Sequence, residues 1–261
     1  MMSSAKAPRI QAPLPGPVSF SDDGLAFDET PRTGEALMHR DEARLTAAQD
    51  DLRPTLLWYA WDRPTITLGR LQDPATAVDP AACAAAGIPV VRRPTGGRAV
   101  LHTDEWTYGA IVPLDHPVLG GGLGASCRAL VTLVTDALVE AYGIRFDPSG
   151  RSGSALAVGP PAACFTRAFG YEAVAAGRKL MGSAQRRSGR VLLQQGSLLV
   201  GPGHERLARW LARPEPGAEE ALARGAIPLT ELLGARPDPG RFRGALERIW
   251  RERARAGARS A

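Results

Sequence analysis

Lysine is nearly absent from this chain. Of its 32 basic residues, only Lys6 and Lys179 are lysine; the rest are arginine. Such a bias reads as the imprint of a GC-rich genome, which makes a surviving lysine informative. Lys6 lies in a Pro/Ala/Ser-rich leader, residues 1–18, expected to be disordered. Lys179 lies inside a regular run. Arginine is a planar fork and lysine a compact ammonium whose pKa moves readily. Lys179 therefore marks either a site that needs an ammonium or a chance survivor. Cysteine is scarce as well: three residues, an odd number, make no disulfide framework and fit a reducing, cytoplasmic compartment. No run approaches the roughly 18 apolar residues of a membrane span. The first 17 residues hold no apolar stretch of the kind that secretion requires. CxxC, HxxxH, GxSxG and Walker patterns are all missing, so the sequence offers no support for a metal, a serine-hydrolase elbow or a P-loop.

What is present is globular in composition, with 44% hydrophobic and 23% charged residues in 261. Net charge is +5, and the segment from Asp238 onward carries seven arginines against three acids. That end reads as a solvated helix with a cationic tip, or else as a docking surface for an acidic protein. No basic stripe interleaved with aromatics suggests nucleic acid.

Apolar spacing predicts helices over 34–49 and 125–142, the second closed by Gly143. Cys127 reads as core in the second. Asp79-Pro80 is an N-cap followed by a first-turn proline, opening a short helix that contains Cys83. Short apolar, β-branched runs at 55–61 and 65–69 read as paired strands across Asp62-Arg63-Pro64. Residues 89–92, 98–102 and 106–112 read as further strands. Residues 171–175, 178–187 and 190–200 form a meander turning at Ala176-Gly177 and Ser188-Gly189. Residues 149–161 read as a long loop. Helices are expected over 205–212, 219–224 and 239–255. Strand runs without βαβ alternation predict an α+β fold with a largely antiparallel sheet. The expected organisation is the leader, a catalytic domain over 19–212 and a helical tail over 213–261.

Three stretches carry chemistry. Arg92-Arg93-Pro94-Thr95-Gly96-Gly97-Arg98 places two glycines where backbone can approach a ligand, with arginines able to hold an anion. In the strand Gly177–Arg187, alternation puts Lys179, Met181 and Ser183 on one face, so the lysine is either partly desolvated or snorkels to water. Cys164 follows the long loop. A thiol near an ammonium becomes a nucleophile, whereas most isolated cysteines are small core residues; spacing leaves both readings open.

Residues 92–102, then 177–187, then Val191 to Leu199 resemble the signatures of the biotin/lipoate protein ligase and acyltransferase superfamily. Met38…Asp41-Glu42 and the run from Trp61 to Gln72 are similar too. Cys164-Phe165, a Tyr-Glu strand and Gly177-Arg178-Lys179 look most like the cysteine-dependent octanoyltransferases of the LipM type. The resemblance implies a ligase-like α+β catalytic domain. It implies that Cys164 takes octanoyl from acyl carrier protein as a thioester, assisted by Lys179. It also implies that Arg92, Arg93, Thr95, Gly96, Gly97, His102, Gly182, Ser183, Gln195 and Gly196 line the substrate site. The acceptor would be the lysine of a lipoyl domain, as in glycine-cleavage H protein or a 2-oxoacid dehydrogenase E2. No metal or cofactor would be needed; a lipoate ligase, the alternative, would use ATP and Mg²⁺, and a non-catalytic acyl-binding homologue is the third possibility. The family's usual His is Gln195 here, the Asp after Cys-Phe is Thr166, and the residue after His102 is Thr103 where Asp is usual.

Overall fold

The computed structural model describes residues 18–147 and 172–256. Cys164 and the expected loop at 149–161 lie outside them. The described strands form a six-stranded sheet and a three-stranded sheet.

Strands β1 (Leu25–Arg32), β2 (Thr55–Trp61) and β6 (Glu105–Pro113) join β7 (Ala173–Ala175), β8 (Arg178–Ser188) and β9 (Val191–Leu199) in the order β1-β2-β6-β9-β8-β7. Only the β1–β2 pair is parallel. The meander forms as expected because its turns accept left-handed backbone: Ala176 and Gly177 have φ of 50° and 70°, and Gly189 has 53°. All nine residues of the central strand β9 are buried.

Period-two alternation gives each sheet face its own partner. Leu56 and Trp58 join Tyr108, Ala110 and Val112 beneath α4 (Leu123–Tyr142) and α7 (Pro239–Arg255). Leu57 and Tyr59 face the other way, onto Leu37 and Met38 of α1 (Gly34–Ala47). In α4, Leu130, Val131, Val134, Ala137, Leu138 and Ala141 make the buried stripe, and Gly143 closes the helix at φ 70°. Helix α7 begins as read, with Asp238 accepting from Gly240 N at 2.9 Å. It buries Phe242, Leu246 and Trp250 in the same core, at roughly 1.5–3 kcal/mol per large side chain.

The small sheet overturns one expectation. Strand β3 (Thr65–Leu68) does not pair with β2; it lies between β4 (Val90–Arg92) and β5 (Val100–His102). Pro64 has no N–H to continue a ladder beside β2, and the chain leaves the large sheet there. Two short helices, α2 (Pro74–Ala77) and α3 (Pro80–Ala85), start at Asp73 and Asp79, each followed by proline. The helix expected at 205–212 is a 3-10 helix, His204–Trp210. It precedes α5 (Ala218–Gly225) and α6 (Leu229–Leu233), the latter not anticipated. No helix among the described residues is long and apolar enough to cross a membrane.

Most arginines of α7 are exposed, as read for a solvated helix, and most are also paired with acids. Arg251 and Arg255 both hold Asp23, Arg253 holds Asp136, Arg248 holds Glu140, and Arg243 reaches Glu29 and Glu247. Arg241 lies over the Tyr142 ring at 5.7 Å. The helix is stapled to the body by its own charge.

Candidate functional site

The Gly-Gly loop, α1, β2, β6 and the middle of β8 and β9 converge on one cavity. It is narrow in this structure, with about 30 Å³ open to the centre of a water-sized sphere, room for about two waters at ~10–15 Å³ each. Met38, Trp61, Val100, Gly182, Ala184 and Gly196 give it apolar walls. Thr67, Arg93, His102, Thr107, Gln195 and Ser197 supply polar groups.

Those polar groups are largely occupied with one another. Arg93, 5% exposed, donates to the Thr67 carbonyl and hydroxyl at 3.1 and 3.0 Å and to the carbonyls of Gly96 and Arg98 at 2.7 Å. Arg92 is exposed and lies outside the cavity; its Nη1 donates to the carbonyls of Gly69, Arg70 and Gln72 at 3.1, 2.9 and 2.8 Å. The sequence suggested that these arginines hold an anion. In the structure both arginines donate to loop carbonyls.

The two glycines also separate. Gly97 has φ of 87°, and a Cβ there would stand 2.7 Å from Arg93 Nη2 and 3.6 Å from Ala184 Cβ. A Cβ on Gly96 would meet nothing within 4 Å. Gly97→Ala should therefore cost about 1–3 kcal/mol in strain and displace the Arg93 fork at the cavity wall. Gly96→Ala should change stability by less than about 0.5 kcal/mol. Melting curves and steady-state kinetics of the two variants check this; equal behaviour would contradict it. Gly196 is needed for a different contact, since its Cβ would lie 2.2 Å from the Tyr108 ring.

Gln195 ties the loop to helix α1. Its Oε1 accepts from Thr95 Oγ1 at 2.7 Å, and its Nε2 donates to Asp41 Oδ2 at 2.7 Å. Asp41, fully buried, also receives Tyr59 OH at 3.0 Å and Arg44 Nη1 at 3.0 Å. Burial, then the Asp41 charge, pushes the Tyr59 hydroxyl well above its ordinary range. Gln195 is thus a bridge that does not titrate.

A second knot surrounds His102. The ring stacks on Trp61 at 4.0 Å and 14°. Its Nε2 lies 2.8 Å from Thr67 Oγ1, and its Nδ1 lies 2.6 Å from Glu105 Oε1. Glu105 Oε1 also accepts from Thr107 at 2.5 Å and Ser197 at 2.8 Å. Burial acts to raise the Glu105 carboxyl, but the His102 charge and the bonds from His102, Thr107 and Ser197 outweigh it and hold it below its usual value. A depressed folded-state pKa gives stability that is complete above the unfolded value and lost as pH falls through the folded one. The stability gap between wild type and Glu105→Gln should be widest above the ordinary carboxylate range and narrow as pH falls through and below it. Denaturant melts across that window test it; a gap independent of pH would contradict the assignment. The sequence reading missed Glu105, which opens a strand where a solvated carboxylate is ordinary. Its alternation with Thr107, three residues after His102, was the available signal.

Lys179 does not snorkel. It is 1% exposed, and its Nζ lies 2.5 Å from Glu172 Oε1. It is not part of the cavity wall. Cys127, read as core, is only partly buried, with Sγ 3.7 Å from Ser183 Oγ. Burial pushes its thiol up; the Ser183 bond and the Lys179 charge act against this, while Glu172 adds to it. Among the described residues no cluster of three His, Cys, Asp or Glu is placed to hold a metal.

An α+β domain in which a Gly-Gly loop of the small sheet meets a cavity walled by strands of the large sheet defines a class. The chain belongs to the lipoyl protein ligase A/B catalytic domain family, whose model matches residues 35–249. Among similar proteins, octanoyltransferase LipM of Moorella thermoacetica is 39% identical over 191 residues, 72% of this chain and 70% of the relative. That of Kyrpidia tusciae is 39% identical over 204 residues, 75% and 74% of the two chains. A putative lipoate protein ligase from T. acidophilum shares the fold at a TM-score of 0.66 and 20% identity, covering 88% of this chain and 84% of its own.

Proposed function

We propose that the chain is an octanoyltransferase of protein lipoylation. It takes an octanoyl group from acyl carrier protein and delivers it to the lysine of a lipoyl domain, such as that of H protein or an E2 subunit. The observation that carries this is the 39% identity to octanoyltransferases over about three quarters of the chain. The cavity supports it. Its walls suit an alkyl chain, and its polar groups are already bonded to protein.

In this reading the Cys164 thiolate attacks the donor thioester carbonyl. The carrier thiolate leaves and takes up a proton, and the octanoyl group stays on Cys164. The acceptor amine, after losing its proton, then attacks that thioester; an amide forms and the Cys164 thiol is restored. The Lys179 ammonium, held by Glu172, supplies positive charge for the oxyanion of each step. Both steps conserve thioester energy, so no nucleotide enters.

The test is transfer from octanoyl-carrier protein to an unmodified lipoyl domain with no nucleotide present, read as acceptor mass. Octanoylated lysine is the expected product. Modification that requires ATP and free octanoate would overturn the reading.

A further inference from the structure

The structure places an exposed leucine, Leu71, on a hydrogen-bonded loop that also carries Arg70 and adjoins the turn before Arg98, beside the cavity. We infer that this patch, Arg70, Leu71 and Arg98, docks the acidic carrier protein that brings the acyl group. The inference rests on the transferase reading for the identity of the partner.

Leu71 is 86% exposed, the most exposed large apolar residue among the described ones. A single surface leucine is ordinary. This one differs in how firmly its loop is fixed. Arg92 Nη1 donates to three carbonyls of residues 69–72. Gly69 N donates to Gln72 Oε1 at 3.0 Å, and Arg70 N donates to the Thr95 carbonyl at 2.8 Å. The loop also abuts the Gly-Gly turn, because a Cβ on Gly69 would lie 2.0 Å from the Gly97 carbonyl oxygen. Arg70 and Arg98 each follow one of these touching glycines. Both side chains are exposed, and neither has an ion pair among the described residues. The acid next in sequence, Asp73, caps α2 through Ala75 N at 3.1 Å.

Ordering a loop before binding reduces the entropy lost on association, and arginines are enriched where binding energy concentrates and steer an acidic partner. Arg70 and Arg98 thus put exposed positive charge, without an ion pair among the described residues, close to the cavity, where an acidic partner delivering an acyl group would meet it. Gly97, at the base of the patch, is 3.6 Å, measured from its would-be Cβ, from Ala184 of the cavity wall. A carrier seated on Leu71 therefore presents its acyl arm at the cavity mouth.

The test uses the full chain with Arg70→Glu/Arg98→Glu and Leu71→Ser changes, all on exposed side chains. Binding of acyl carrier protein is measured by titration at low and high salt. Transfer is measured with octanoyl-carrier protein and with the small thioester octanoyl-pantetheine. The double reversal should weaken carrier binding and raise the carrier KM at least about tenfold, with the salt dependence lost. Leu71→Ser should weaken both by a smaller factor. Kinetics with octanoyl-pantetheine should be unchanged. Wild-type carrier binding in the double variant, or equal loss with both donors, would overturn the proposal. Carrier binding that depends on these arginines without any transfer from either donor would support the docking surface and defeat the transferase reading instead.

Discussion

Lys179→Ala is expected to slow octanoyl transfer by about a hundredfold to a thousandfold, roughly 3–4 kcal/mol at ~1.4 kcal/mol per tenfold. The lysine is buried on β8 and held 2.5 Å from Glu172. Glu172 follows Cys164 by eight residues in the sequence. A charge enclosed there acts at low dielectric, where it is worth more than at the surface. Lys179→Arg should also be poor, because a planar fork does not fit a closed site shaped for an ammonium. Part of any loss in Lys179→Ala comes from leaving Glu172 buried without this partner. Lys179→Ala/Glu172→Ala separates the effects: it should recover stability but not rate. Single-turnover transfer with parallel melting curves provides both readouts. Wild-type transfer by Lys179→Arg would show that this position does not require lysine.

Asp41→Ala should destabilise the fold by about 3–5 kcal/mol, the usual cost of removing one partner from a buried charged network. Asp41 is fully buried and accepts from Arg44, Tyr59 and Gln195. Without it, a guanidinium, a phenol and an amide lose a partner inside the α1–sheet contact. The cavity should suffer too, because Gln195 would lose its anchor and with it the hold on Thr95. Gln195→Ala should keep most of the stability yet raise the donor KM, whereas Gln195→Glu would set a second carboxylate against Asp41 and cost more. Denaturant melts give the first result and kinetics the second. A loss under about 1 kcal/mol for Asp41→Ala would contradict the network's role.

The meander was legible because turn chemistry and alternation agree on it: Ala176-Gly177 and Gly189 sit at positive φ between strands of matching period. Helices α1, α4 and α7 were legible from caps and stripes, and Gly97 from its place in a turn. Pairing was less visible. Strand β3 has the composition of a hairpin partner for β2, but Pro64 interrupts that ladder and β3 pairs with β4 and β5 in a second sheet. Partners were least visible. The sequence shows Gln195 as a departure from a family His, but its bridge from Asp41 to Thr95 spans 154 and 100 residues. The α7 arginines looked unpaired because Asp23, Asp136 and Glu140 are distant in sequence.

The central claim is that Cys164 carries the acyl group, and intact-mass measurement after mixing the chain with octanoyl-carrier protein tests it most directly. The account predicts a gain of one octanoyl group on Cys164, cleaved by neutral hydroxylamine, absent in Cys164→Ala and discharged by an added lipoyl domain. No adduct on the wild-type chain, together with ATP-dependent modification of the lipoyl domain by Cys164→Ala, would contradict it.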